Sequence, residues 1–345
     1  MWLSRYSRWP SRFHNLHFHS QTTKQLLSSS ITTATTQSSP SPLPPPMQVA
    51  LTDSAGRGVF ATRRICAGDL IHTAKPIVSH PSLSSLNSVC YFCLRRISSN
   101  SPDFEAHSAR FCSQECAENS KDFFYVERTV DWSTFDDYCR DQGLKYPLLV
   151  KRLACMIISG SVSSDSIDIL QPARLSPEMI SKMEEGFHLL RSALRKADVM
   201  DEELKFLNKQ WYISVLARIR INAFRIELAG GSYEDLLSSA AASIDGDVAV
   251  GNAVYMLPSF YNHDCDPNSH IIWIDNADAR LKALRDVEGK SFAYAILMQV
   301  WVTMLGKLSW LKDSVFDANA LGVYLVVKQL SCLISCLSKI MQRQM

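Results

Sequence analysis

Four cysteines fall into two closely spaced pairs that suit a metal site. Two residues separate Cys90 from Cys93, three separate Cys112 from Cys116, and 18 residues lie between the pairs. Each short pair can close one edge of a tetrahedral structural zinc site with thiolate ligands. The paired spacing, without an apolar secretory signal, favours reduced thiols and metal over disulfides. Four unligated thiols remain the alternative.

A second group of polar residues occupies seven consecutive positions, 262–268 (NHDCDPN). Pro267 fixes one backbone angle and cannot donate a hydrogen bond, and its acidic and amide neighbours favour turns. Apolar runs precede and follow this segment, at 253–261 and 271–274. A polar, tightly turned loop between apolar runs is typical of a buried small-molecule site. A purely structural turn is the alternative.

Residues 262–268 resemble the N-H-x-C-x-P-N signature of SET-domain lysine methyltransferases. Upstream, residues 54–61 (SAGRGVFA) are similar to the opening hairpin of that family, and 65–71 (ICAGDLI) to the strand that follows it. The family's G-x-G turn lets the backbone approach the cofactor. The resemblance implies that S-adenosylmethionine is bound by Gly56, Arg57, Gly58, Asn262 and His263. A plain hairpin turn at the two glycines remains the alternative.

The sequence between these segments indicates which subgroup of the family the chain resembles. Residues 110–116 (RFCSQEC) resemble half of a MYND finger, and the missing second ligand set leaves room for at most one zinc. Residues 211–227 resemble a helical part of SET-and-MYND enzymes, which implies that Asn222 also contacts the cofactor. A capping or solvated Asn222 is the alternative. The chain thus resembles split-SET proteins of the SET-and-MYND type, and more closely their plant trithorax-related relatives.

The resemblance stops after Glu288. Residues 281–288 (LKALRDVE) follow the family pattern, but no G-E-E turn, matching strand and catalytic Tyr come after them. We therefore identify no catalytic residue. Residues 289–345 carry six basic and two acidic side chains beside long apolar stretches. We hypothesise that this tail replaces the family's ending, through an alternative transcript or an intron read through in the gene prediction.

The activity implied by the resemblance is S-adenosylmethionine-dependent methylation of a lysine in a histone tail or another basic protein. The missing Tyr leaves impaired activity of this chain open. Two other classes also stay open, namely a non-catalytic SET and zinc interaction protein, and a membrane-tethered isoform that uses the tail. The apolar run 321–327 in this tail is interrupted by Lys328 and Gln329 and is too short and too broken for a membrane span.

Charge is distributed unevenly along the chain. The formal net charge is +2, but residues 53–288 contain 26 basic and 32 acidic groups. The mild net negative charge of residues 53–288 argues against direct binding of nucleic-acid phosphates and is compatible with a basic peptide substrate.

The first 46 residues are rich in Arg, Ser and Thr, lack acidic residues and end in a proline-rich spacer. They predict a transit peptide for a mitochondrion or plastid, with a nuclear location or a plain disordered terminus as alternatives.

The sequence predicts an α+β fold, a SET-type β-clip of short strands, and gives no indication of the oligomeric state. A split SET domain is expected over 47–288, interrupted by a zinc segment at 88–120 and a helical insertion at 121–245, with its second part at 246–288. Helices are predicted over 147–158, 176–197, 201–227 and 232–243. The third helix is expected to break near Asn222.

Three further cysteines are predicted to be buried and to act as small hydrophobic residues: Cys66, Cys139 and Cys155.

Overall fold

Short strands from distant parts of the chain pair with one another, and helices occupy the sequence between them. The computed structural model describes residues 46–52, 56–97, 104–106, 109–229, 249–262, 267–289, 292–293 and 295–296. The strands are β1 (Met47–Thr52), β2 (Gly56–Ala61), β3 (Leu70–Ala74), β4 (Val78–Pro81), β5 (Phe104–Ala106), β6 (Ala109–Phe111), β7 (Ala223–Ile226), β8 (Gly251–Val254), β9 (Ser269–Ile272), β10 (Ala279–Ala283), β11 (Phe292–Ala293) and β12 (Ala295–Ile296). The helices are α1 (Gln114–Thr129), α2 (Ser133–Asp141), α3 (Tyr146–Ile158), α4 (Pro177–Lys196) and α5 (Lys209–Asn222).

The described strands form four small sheets. Their strand orders are β1-β2-β11, β12-β9-β10-β3, β4-β8-β7 and β5-β6. The pairs are antiparallel except for β12 beside β9. Each of the three larger sheets joins a strand that precedes the helices to one that follows them. The mixed α+β class predicted from the sequence is therefore confirmed.

Strand β10 shows how alternation directs side chains into the core. Ala279, Leu281 and Ala283 are buried, whereas the two basic residues between them are only half-buried. This period of two is what a strand with one covered face produces. Beside this core, Trp273 Nε1 donates a hydrogen bond of 2.9 Å to the Tyr255 hydroxyl. The polar atoms of these two buried side chains therefore have hydrogen-bond partners.

Helix α3 is the centre of the helical part. It packs against α1, α2 and α5 and against strand β4. Nine consecutive residues of this helix, 147–155, are buried, among them Lys151 and Arg152. A helix that is covered on every side has apolar residues all around it, rather than along one face only. Burial of these two basic residues requires polar partners. Lys151 Nζ donates to Asp136 Oδ1 at 2.7 Å, and the partners of Arg152 are described with the cysteine cluster below.

Two predicted helices are confirmed, and a third begins later than predicted but breaks at Asn222 as expected. Helix α3 matches the prediction for 147–158, and α4 matches that for 176–197. The helix predicted over 201–227 begins only at Lys209, because the Asn208 side chain accepts a hydrogen bond from Trp211 N and caps it. It ends at Asn222, where β7 starts. The helix predicted over 232–243 lies outside the described residues.

The N-terminal cap of α4 gives a stability prediction. Ser176 Oγ accepts a hydrogen bond of 3.3 Å from Met179 N, and Pro177 occupies the first helical position. Ser176→Ala is expected to lower the free energy of unfolding by about 1 kcal/mol because one backbone donor loses its acceptor. Urea denaturation followed by circular dichroism measures the change. Ser181→Ala, in the exposed interior of the same helix, is the control, and equal losses in the two variants would refute the cap.

The three cysteines predicted to be buried differ in their surroundings. Cys139 and Cys155 are buried, as expected, but Cys66 is exposed. Cys66 lies in a tight turn, where its backbone N–H donates to Asp69 Oδ2 at 2.9 Å. A turn of this kind holds the backbone at the surface, so the prediction for Cys66 is wrong.

Two short strands follow Glu288, although the sequence there predicts none. Phe292–Ala293 pairs with β2, and Ala295–Ile296 lies parallel to β9. Ladder pairing uses backbone groups, which any non-proline sequence provides, so the absence of the family motif did not prevent it. None of the helices that the structure describes has both the length and the apolarity required of a membrane-spanning segment.

Candidate metal centre and cofactor site

The four predicted metal ligands come together in the structure. The sulfur atoms of Cys90, Cys93, Cys112 and Cys116 all lie within 4.8 Å of one another. Cys93 Sγ is 3.5 Å from Cys112 Sγ, which is 3.6 Å from Cys116 Sγ. Four sulfurs around a tetrahedral zinc with normal bond lengths are about 3.8 Å apart. The donor set and its spacing therefore fit a single structural zinc.

Local backbone structure positions each pair. Leu94 N donates to Cys90 O at 3.0 Å, and Leu94 adopts a φ of 61°, which closes the turn that carries the first pair. Cys112 follows β6, and Cys116 lies in the first turn of α1. Ser113 caps this helix by accepting a hydrogen bond of 3.2 Å from Cys116 N. The second pair is thus fixed by a strand end and a helix start.

The thiols influence one another's protonation. Hydrogen bonds from Cys116 and Cys93 lower the pKa of the buried Cys90 thiol, which favours its thiolate form. A thiolate is the form of cysteine that binds metal. The surroundings of Cys90 therefore favour the form that a metal ion would need.

A buried polar network anchors the first cysteine pair to the helices. The Tyr91 hydroxyl donates to Glu127 Oε2 at 2.8 Å, and Arg152 Nε donates to Glu127 Oε1 at 2.6 Å. Arg152 also donates to Ser79 O at 3.0 Å, and its guanidinium lies 4.2 Å from the centre of the Tyr91 ring. Glu127 and Arg152 are almost fully buried, so the pair is shielded from solvent.

The cysteine cluster is also tied to a later part of the chain. Ala277 N donates a hydrogen bond of 2.7 Å to Cys93 O, which joins the loop between β9 and β10 to the first cysteine pair. This loop belongs to the segment 246–288, which is predicted from the sequence to be the second SET part. The cysteine cluster is therefore packed between elements that lie on both sides of the helices in the sequence.

The glycine turn and the polar 262–268 segment meet directly. Asn262 Nδ2 donates a hydrogen bond of 3.1 Å to the backbone oxygen of Arg57, which lies between the two glycines. Gly56 has a φ of 72°, a conformation that residues with a side chain rarely adopt. Gly58 is buried in β2. Two segments that are far apart in the sequence thus share one hydrogen bond.

The Arg57 side chain is used to hold another part of the chain. Its guanidinium donates a hydrogen bond to Ile169 O and lies 4.8 Å from the centre of the Phe260 ring. A cation over an aromatic face is attracted by the ring quadrupole. The residue predicted to contact the cofactor therefore directs its charge towards the connection between α3 and α4, and presents only its backbone beside Asn262.

Asn222 stands at the end of α5 and is almost fully buried. Its Nδ2 donates to Gln171 O at 2.9 Å and to Arg218 O at 2.7 Å. Both amide hydrogens are thereby used, which leaves the Oδ1 atom as the group that can accept a donor from a ligand. An oxygen acceptor suits an ammonium group. Arg57 binds the carbonyl of Ile169 and Asn222 binds that of Gln171. The segment 169–171 therefore connects the two side chains.

Arg218 is a residue of this region that no motif in the sequence marks. Its side chain is mostly buried, and it donates to Ser214 O at 3.1 Å and to Asp168 O at 3.4 Å. Residues 168–171 are thus held by side chains from β2 and α5. No pattern of residue types marks such a segment, because its backbone carbonyl oxygens make the contacts whatever its side chains are.

His263, which was predicted to contact the cofactor, lies outside the described residues.

No protein-family model matches the chain, but curated proteins do. It is 66% identical over 246 residues to Histone-lysine N-methyltransferase ATXR4 from Arabidopsis thaliana, which covers 71% of this chain and 75% of that protein. It is 24% identical to a SET and MYND domain-containing protein from Dictyostelium discoideum, over 64% of this chain and 66% of that protein. Histone-lysine N-methyltransferase SET5 from Vanderwaltozyma polyspora is 21% identical, over 67% of this chain and 50% of that protein.

Proposed function

The chain belongs to the SET-domain histone-lysine N-methyltransferases, and on that premise we propose that it transfers a methyl group from S-adenosylmethionine to a lysine of a histone or another basic protein. The observation that carries this proposal is the hydrogen bond between Asn262 and the Arg57 backbone, which joins the two segments that resemble the cofactor site. Residues 53–288 carry 26 basic and 32 acidic groups, and this net negative charge is compatible with a basic substrate.

We assign the residues to binding and alignment of the cofactor. S-adenosylmethionine supplies a methyl group on a sulfonium, and the chain must hold that methyl group in line with a neutral amine. The backbone at Gly56 and Gly58 would hold the amino-acid end, and Asn222 would accept from its ammonium group. Asn262 would fix the glycine turn, and His263 would lie near the adenine. Burial of the substrate lysine would lower its pKa and favour the neutral amine.

The finer architecture is also part of the proposal. We propose a SET-type β-clip over 47–288, interrupted by a zinc segment and a helical insertion. Pairing of β3 with β10 and of β4 with β8 supports a domain split by the insertion. We propose one zinc bound by the four clustered cysteines, with a structural role, because four protein ligands leave no open position for a substrate.

Cofactor binding is tested at Asn262. Asn262→Ala is expected to weaken S-adenosylmethionine binding by about 10- to 100-fold, because the glycine turn loses the hydrogen bond that fixes it. Isothermal titration with S-adenosylmethionine measures the affinity, and circular dichroism checks the fold. Asn119→Ala, at an exposed position of α1, is the matched control. An Asn262→Ala protein that is folded and binds with wild-type affinity would contradict the assignment.

Turnover is tested separately, with tritium-methyl transfer to histones and to other basic proteins. Transfer that depends on Asn262 supports the methyltransferase. A non-catalytic SET protein is the second candidate, because no residue after Glu288 matches the catalytic Tyr of the family. Binding of S-adenosylmethionine without transfer to any protein substrate supports that candidate. Absence of binding as well as transfer would contradict both.

Localisation remains a proposal based on composition. We propose that the first 46 residues direct the chain to a mitochondrion or plastid, because they are basic, rich in Ser and Thr and free of acidic residues. Fusion of this segment to a fluorescent reporter tests the proposal. Reporter fluorescence in the nucleus would instead support a chromatin substrate.

A further inference from the structure

A cleft in the helical part has the features of a second ligand site. It has a volume of about 610 Å³ and lies between the end of α2, the loop before α3, and helices α4 and α5. Small-molecule sites commonly have volumes of about 300–1,000 Å³. Its lining includes the apolar side chains of Leu144, Met179, Met183 and Leu216. The cleft shares none of its lining residues with the cysteine cluster or with the proposed cofactor contacts.

Tyr212 contributes an unusual polar group to this cleft. Its side chain lines the cleft and is fully buried, yet its hydroxyl has no hydrogen-bond partner within the described part of the chain. A buried hydroxyl without a partner destabilises a fold. A ligand with a polar atom at this wall would supply the missing hydrogen bond.

Gly186 makes room for that hydroxyl. It lies in the interior of α4, where glycine is less favourable than alanine. A Cβ atom at this position would lie 2.5 Å from the Tyr212 hydroxyl oxygen, too close for either group to stay in place. Two locally unfavourable features, the glycine and the unpartnered hydroxyl, therefore occur at the same wall of one cleft.

The exposed residues of the cleft indicate the charge of the ligand. Lys145, Lys182 and Arg220 line it and are exposed, against a single acidic residue, Glu185. None of the three basic side chains has an ion-pair partner among the residues that the structure describes. Unneutralised cations beside an apolar lining complement a ligand with an apolar body and an anionic group.

From these observations we infer that the cleft between α2, α4 and α5 binds a small organic anion. The apolar body lies against the methionines and Leu216, a polar atom of the body bonds to the Tyr212 hydroxyl, and the anionic group faces Lys182 and Arg220. The site does not depend on the proposed methyl transfer, because none of its residues is assigned to S-adenosylmethionine or to zinc.

Fluorescence titration of the full chain with 8-anilinonaphthalene-1-sulfonate tests this inference. That probe combines an aromatic body, a polar N–H group and a sulfonate. The double variant Lys182→Glu with Arg220→Glu is expected to weaken binding by about tenfold or more, because two attractive charges become repulsive. The neutral probe N-phenyl-1-naphthylamine is expected to bind more weakly to the wild-type protein. Lys121→Glu with Lys205→Glu, at exposed positions outside the cleft, is the charge-matched control.

Tyr212→Phe provides an independent test of the inner wall. It removes the hydroxyl without removing the ring, so thermal stability is expected to be unchanged or raised, while probe affinity falls by about three- to tenfold for the lost hydrogen bond. The inference would be overturned by wild-type affinity in Tyr212→Phe. Equal losses in the cleft double variant and in its charge-matched control would overturn it as well.

Discussion

Cys112→Ser is expected to abolish zinc binding and to unfold the segment around the cysteine cluster. The four sulfurs lie within 4.8 Å of one another, and each is needed for a closed tetrahedral site. A structural zinc of this type contributes about 10–16 kcal/mol at neutral pH, so loss of one thiolate removes much of the stability of the segment. Elemental analysis of purified protein measures zinc per chain, with about one expected in the wild type and none in the variant.

A matched control for this variant is Cys66→Ser. Cys66 is exposed and does not belong to the cluster, so this substitution should leave the zinc content unchanged. Chelation of the wild-type protein should lower its thermal stability to that of Cys112→Ser. A Cys112→Ser protein that keeps one zinc per chain, with wild-type stability, would show that the cluster is not the metal site.

Glu127→Gln is expected to lower the free energy of unfolding by about 3–5 kcal/mol, because it leaves the Arg152 charge buried without a counter-charge. The substitution keeps the size of the side chain, and the side chains of Arg152 and Glu127 are only 2% and 3% exposed. Solvent therefore cannot replace the lost carboxylate. Urea denaturation of the wild type and the variant gives the difference.

Two further variants make this measurement specific. Glu118→Gln removes the carboxylate of an exposed pair with Lys121 and is expected to change stability by less than about 0.5 kcal/mol. The double variant Glu127→Leu with Arg152→Met removes both charges of this pair and should recover part of the loss. A single Glu127→Gln variant as stable as Glu118→Gln would mean that the buried pair does not stabilise the fold.

Features that depend on neighbouring residues could be predicted from the sequence. The four clustered cysteines form two short-range pairs, so their spacing alone predicted the cluster. Helix α4 was predicted because Ser176 and Pro177 mark its first turn by their own chemistry. Asn262 and the glycine turn were identified by motif, and the structure places Asn262 beside the Arg57 backbone.

Features that depend on tertiary contacts could not be predicted in this way. Glu127 and Arg152 look like ordinary surface residues in the sequence, because 25 positions separate them and only the fold buries both. The end of α5 at Asn222 was anticipated, but the strand that follows was not, since β7 forms only when β8 pairs with it. Similarly, the 168–171 segment is held through its carbonyl oxygens, which leave no pattern of residue types.

The pairing of β2 with β11 and of β4 with β8 has a consequence for synthesis of the protein. Phe60 pairs with Phe292, and Ser79 with Ala253, so one edge of β2 and the whole of β4 have no partner until the ribosome has made the helices that lie between these strands in the sequence. At about 5–20 residues per second, that delay is on the order of ten seconds or more. During this time the nascent chain exposes unpaired strand edges, and we expect its yield in vivo to depend on chaperones that shield them.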